Sequence, residues 1–163
     1  MVLSLSPAEG DVVVSREADM EGFAYEFTSV IVVTLVYLVL YYVFMLNVLR
    51  VKLKVVKRCK EQGERFERYA VQYPDLLAAD RIQMNMLEHM PPFLAILWLQ
   101  ALVVSAESAA ILGSIYVLLR ALYPLFLGGE LKSNIPMRLL LNTFSAYGVM
   151  GVMLGWTFWA LVA

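Results

Sequence analysis

Apolar residues run along this chain in four long stretches and do not alternate with polar ones. Runs such as VIVVTLVYLVLYYVF show no period of two. A membrane barrel strand would alternate, so helices are the predicted element. A bilayer core needs about 20 apolar residues per helix. Four stretches meet that length: about 27–50, 81–105, 108–128 and 137–162. The first is uncharged from Thr28 to Leu49, the second is charged only near its start, and Arg120 interrupts the third. The predicted fold is an all-α integral membrane protein, a four-helix up-and-down bundle.

The breaks between these stretches carry turn chemistry. The first helix is expected to start near Glu26 and to run past the membrane, because VLRVKLKVVKRCK continues with good helix formers. Its basic end suits the helix dipole. The longest loop, EQGERFERYAVQYPDLLAAD, reads as a turn plus a short helix, with Asp80 as the cap of the second helix. Pro91 and Pro92 fall inside that helix and remove backbone bonds one turn past a polar cluster, so a kink is expected. A tight turn is expected around Ser105 to Ser108, and Gly128 and Gly129 end the third helix. Pro136 suits the first turn of the fourth, where Gly148, Gly151 and Gly155 allow close helix packing.

Composition agrees with the pattern. Of 163 residues 61% are hydrophobic and only 17% charged, with a mean hydropathy of +0.70. The net charge of -1 hides an uneven distribution. Glu9, Asp11, Glu17, Asp19, Glu21 and Glu26 precede the first span against a single Arg16. Lys52, Lys54, Lys57, Arg58, Lys60, Arg65 and Arg68 follow it. The positive-inside rule therefore predicts a cytosolic 51–80 loop, with both termini on the opposite side. Lys132 and Arg138 put the loop between spans three and four on the cytosolic side too. The start lacks the pattern of a cleavable signal peptide, so residues 1–24 read as an acidic, weakly ordered tail and 25–163 as the membrane domain. Cys59 is the sole cysteine, which excludes an intrachain disulfide. Its juxtamembrane position is compatible with palmitoylation. Four spans without inverted repeats are few for a transporter. No P-loop, nucleophile elbow or dinucleotide fingerprint occurs, and no nucleic-acid partner is expected.

The candidate chemistry sits in RIQMNMLEHMPPFL. Arg81, Asn85 and Glu88 are four and three residues apart, so they share a helix face, with Gln83 and His89 adjacent. Ionisable residues in a membrane helix are costly and mark functional sites. An arginine, amides and a carboxylate match a zwitterionic, peptide-like ligand. The structural alternative is that Arg81 snorkels to the interface and Glu88 forms an ion pair. Tyr116, Arg120 and Tyr123 make a second polar stripe on the third helix. An arginine there can favour a thiolate, the nucleophilic form of a thiol. An interfacial tyrosine belt with a snorkelling Arg120 is the competing reading. The basic run Lys52 to Lys60 would attract anionic headgroups. His89 lacks the partners for a metal site.

The stretch R-x-Q-x-N-x-x-E-x-x-P-x-F-L, here Arg81 to Leu94, resembles the second-helix signature of a known family. It is the family of membrane-associated proteins in eicosanoid and glutathione metabolism, which includes microsomal glutathione transferases, leukotriene C synthase and the five-lipoxygenase-activating protein. The following AILWLQALVVSAESAAILGSIYVLLRALYPLF is similar to the family's second and third helices. The resemblance covers most of Val48 to Arg138. It implies a homotrimer with glutathione, as co-substrate, in clefts between protomers near the cytosolic surface. Arg81, Gln83, Asn85 and Glu88 match its glutathione-contacting positions, and Tyr123 matches a tyrosine contact. Arg138 matches the arginine that activates the thiol, and Arg120 is expected to help it. Lys52 falls where the family has a basic ligand residue. Four departures stand out: His89 in place of an aromatic, Leu127 in place of a second ligand tyrosine, the extra Pro92, and an N-terminal tail longer than usual.

The resemblance implies an enzyme of the endoplasmic reticulum, a glutathione transferase or peroxidase. Its lipophilic substrate would enter from the bilayer. Two alternatives remain open: a non-catalytic lipid-binding or scaffold member of the family, and a structural subunit of a membrane assembly.

Overall fold

The structure, a computed structural model, describes residues 7–67, 73–130 and 136–163, with the side chains of 7–21, 23 and 24 excepted. Lys132, Arg68 and the acidic side chains from Glu9 to Glu21 lie outside the described residues. Four helices follow one another: α1 (Pro7–Gln62), α2 (Pro74–Val103), α3 (Ala106–Leu127) and α4 (Met137–Val162). All four are long and apolar enough to cross a membrane.

The helices alternate in direction. One end of the bundle carries the α1–α2 and α3–α4 connections; the other carries the short α2–α3 turn. Among the described residues α2 and α3 each pack against both α1 and α4, whereas α1 and α4 do not touch. In cross-section α2 and α3 therefore form the middle and the other two flank them.

Each helix turns one stripe inward. On α1 the buried stripe is Phe27, Val30, Val33, Tyr37 and Phe44, at helical spacing. Its other faces carry exposed Val32, Leu35, Val39, Val43 and Leu46, the surface that contacts lipid. Lipid is as apolar as leucine, so hydrophobic transfer does not drive these helices together; close packing and hydrogen bonds do. Gly113 shows the packing. A Cβ there would lie 2.7 Å from a methyl of Leu97 and 3.0 Å from one of Val33. Only glycine lets α3 approach α1 and α2 this closely. At the core centre Phe93 stacks on Tyr116, with centroids 4.1 Å apart, and Tyr37 packs on Phe93 at 4.9 Å.

Three serine and threonine hydroxyls inside the spans bond to their own helices. Thr34 donates to the Val30 carbonyl, Ser114 to that of Ala110 and Thr157 to that of Met153. The same backbone carbonyl pattern lets an apolar span carry polar atoms without exposing them to hydrocarbon.

The helix ends differ from the sequence expectation in two places. Helix α1 begins at Pro7, well before Glu26. Helix α2 begins at Pro74, so Asp80 lies inside it and is not its cap. Proline suits a first helical position because its missing N–H needs no partner there. The expected short helix has merged with α2, and Asp75 serves the start, accepting from the Leu76 amide at 3.0 Å. Helix α2 runs on through Pro91 and Pro92, both exposed. The other ends follow expectation. Ser105 caps α3 by accepting from the Ser108 amide at 3.2 Å, and α3 stops at Gly128. Gly63, with φ of +72°, ends α1, and the Glu64 amide reaches back to the Cys59 carbonyl at 2.9 Å.

A second small core holds the extension of α1 against the start of α2. It consists of Val55, Cys59, Tyr73 and Leu76, with Phe66 stacked on Tyr73 at 5.7 Å. The Arg58–Asp75 ion pair at 3.1 Å closes its edge.

Candidate functional site

The candidate residues gather toward the end of the bundle that carries the α1–α2 and α3–α4 connections. Arg81 lies near the start of α2, Tyr123 near the end of α3 and Arg138 in the first turn of α4. Lys52 lies on α1, half-buried.

Their environments separate them into two groups. The first is buried and bonded. Arg120 is only 1% exposed and Asn85 6%. Arg120 donates from Nη1 to the Asn85 carbonyl oxygen at 2.7 Å and from Nε to the Tyr116 hydroxyl at 3.0 Å. Its guanidinium carbon also lies 5.0 Å from the centre of the Tyr116 ring. The Arg120 Nη2 has no hydrogen-bond partner among the described residues. Among the described residues no carboxylate pairs with it, so the guanidinium is held in the bundle by neutral groups. Such a charge is costly unless its hydrogen bonds are well made. The snorkelling alternative for Arg120 does not fit a side chain this enclosed.

The second group is exposed. Arg81, Glu88 and Arg138 point outward, and the described residues supply their side chains with no hydrogen bond or ion pair. The face shared by Arg81, Asn85 and Glu88 is thus the seam between the buried and open sides of α2. Asn85 turns inward to α3; its two neighbours do not.

Gln83 goes elsewhere. It is two residues from Arg81 and so lies on the opposite side of the helix, where it donates to the Tyr41 hydroxyl of α1 at 3.4 Å. Tyr123 is buried at 5% exposure, and Leu127 packs against the edge of the core. The chain therefore joins Asn85, Tyr116 and Arg120. Among the described residues no hydrogen bond or ion pair links Arg81, Glu88, Arg138, Gln83 and Lys52 to one another.

Two participants, Tyr37 and Asn142, escape a reading of the sequence, and so does the partner of a third, His89. Tyr37 is fully buried and donates to the Met86 carbonyl at 2.9 Å, tying α1 to the polar stretch of α2. Its signal was its register with Val30, Val33 and Phe44. His89, buried at 6%, meets Tyr147 of α4, with 3.3 Å between its Nε2 and the phenol oxygen. Asn142 donates to the Leu119 carbonyl at 3.0 Å, linking α4 to α3 beside Arg120. Nothing local in the sequence marks these last two pairings, because they join residues 58 and 23 positions apart. Cys59 is 2% exposed and its thiol donates to the Tyr73 hydroxyl at 3.2 Å, which closes it to an acylating enzyme in this conformation.

Four apolar spans around polar interhelical bonds define an integral membrane protein of the four-helix type. The sequence model of the MAPEG family matches residues 30–159, and the chain belongs to that family. No curated protein matches the chain.

Proposed function

We propose that this protein is a membrane-bound glutathione transferase or peroxidase. It acts on lipophilic electrophiles at sites between the protomers of a homotrimer. The carrying observation is the set of exposed charges Arg81, Glu88 and Arg138, unpartnered among the described residues, at one end of a membrane bundle. Charged groups at a membrane helix need a partner or water, and a zwitterionic tripeptide offers both signs. Arg81 binds a carboxylate of glutathione and Glu88 its ammonium group. Gln83 and Lys52, on other faces, serve a site shared with a neighbouring protomer, and Tyr123 borders it from α3. Arg138 stabilises the thiolate, which attacks the electrophile. Arg120 acts through Asn85, by holding its amide in one orientation. The basic α1–α2 connection faces the cytosol, in the endoplasmic reticulum membrane, and glutathione enters from that side.

The test is the ultraviolet difference spectrum on adding glutathione to the purified protein. A thiolate band is expected, and Arg138→Ala should abolish it while affinity changes far less. An equal band in the variant removes Arg138 from the mechanism. No binding at millimolar glutathione refutes the enzyme reading.

A second reading has its own support. Asn85 is committed to Arg120, and Leu127 stands where the family pattern has a tyrosine. A site short of two ligand contacts suits a non-catalytic lipid-binding member of the family. Glutathione binding without a thiolate band is its expected signature.

A further inference from the structure

The His89–Tyr147 pair lies near the middle of its helices. His89 is eight residues beyond Arg81 and Tyr147 nine beyond Arg138, so both are about 12–14 Å deeper along the helix axis than those arginines. That depth is close to the centre of a hydrocarbon core about 30 Å thick. A polar pair is expensive there. His89 is enclosed, with its ring 5.0 Å from that of Tyr147. Tyr147 is 49% exposed on α4. Beside it α4 is bare: a Cβ added at Gly148, or at Gly151 one turn on, would meet nothing within 4 Å. Phe144, one turn before, is also exposed and supplies an apolar wall.

We propose that the Tyr147 hydroxyl, held by His89, is a hydrogen-bond site within the membrane for an oxygen of a lipophilic ligand: a hydroxyl, a carbonyl or an epoxide. The inference deepens the function proposed above by naming the substrate class, and it rests on a ligand entering from the bilayer. The pair suits varied oxygens. Where His89 Nε2 accepts from the phenol, the Tyr147 oxygen keeps lone pairs for a ligand hydroxyl. Where Nε2 carries the proton and donates, the phenol O–H is free for a ligand carbonyl or epoxide. The bare backbone at Gly148 and Gly151 leaves room for an alkyl chain along α4.

The probes are 12-oxo-octadecanoic acid, carrying a labelled ketone, and octadecanoic acid. Binding to the full chain in lipid nanodiscs is measured without glutathione, with the ketone stretch followed by infrared difference spectroscopy. The ketone probe should bind about five- to tenfold tighter, the worth of one hydrogen bond. Its carbonyl band should shift to lower frequency. Tyr147→Phe should remove both the preference and the shift while octadecanoic acid binds as before. Equal affinity of the two probes for the unmodified protein, or no binding of either, overturns the proposal. So does a preference that survives Tyr147→Phe. Loss of oligomer mass in that variant, with no ketone shift in the unmodified protein, would assign the phenol to a contact between copies of the chain. The thiolate band, measured on the same sample, separates the two ideas. Its absence beside an intact ketone preference refutes the glutathione reading alone.

Discussion

Asn85→Leu tests the buried arginine directly. The substitution nearly conserves volume and removes the oxygen that accepts from Arg120 at 2.7 Å. Hydrogen bonds to a charged group contribute about 1.5–3 kcal/mol. Bonds between membrane helices average about 0.6 kcal/mol, with a maximum near 1.7. Arg120 and Asn85 are 1% and 6% exposed, so water cannot take over the lost bond. Arg120 Nη2 is already without a partner, so a second loss leaves only the Tyr116 bond from Nε. The expected cost therefore starts near the top of the membrane range and extends into that for charged groups, about 1.5–2.5 kcal/mol. That is roughly a ten- to seventyfold change in the unfolding equilibrium. Arg120→Met on its own strands the Asn85 amide. Combining the two replaces a polar pair with an apolar one, which is often near neutral. The double variant should thus be more stable than the sum of the singles by about 1.5 kcal/mol or more. Equilibrium unfolding in mixed micelles, titrated with dodecyl sulfate, measures all three. A cost below about 0.5 kcal/mol for Asn85→Leu, with additive singles, would refute the claim that this bond holds the bundle centre.

Gly113→Ala should lose about 1–3 kcal/mol through overpacking against Leu97 and Val33. Added to Leu97→Ala it should cost less than the sum, since the new methyl takes part of the vacated space; additive losses in the same unfolding assay would contradict the close approach. Tyr37→Phe deletes the bond to the Met86 carbonyl and should cost about 0.5–1.5 kcal/mol, read in that assay. Cys59 should react slowly with a maleimide in the folded protein and much faster after Tyr73→Ala, because the thiol is enclosed by Tyr73; mass spectrometry of the adduct decides, and equal rates would mean the small core is open. Asp75→Asn should cost under about 1 kcal/mol, because Arg58 is half-exposed and solvent screens the pair.

The membrane class, the four spans and most helix ends are local properties, and the sequence determined them. A run of apolar residues cannot be satisfied in water, and proline, serine and glycine act within one turn of their own positions. The family likeness was legible for the same reason, since its signature falls on one helix. Where competing local signals existed the reading failed. Asp80 looked like a cap, yet Pro74 starts the helix six residues earlier. The partners of the polar side chains were beyond a sequence reading. Spacing placed Arg81, Asn85 and Glu88 on one face, but only packing decided that Asn85 turns to Arg120 while the other two remain open. Arg120 could have snorkelled; the approach of α2 enclosed it. His89 gained its meaning from Tyr147, 58 residues away, and Gln83 from Tyr41, 42 residues away. Helical periodicity says which side chains share a face. Which face meets which neighbour depends on the rotation and contact of whole helices, a property that no single segment carries.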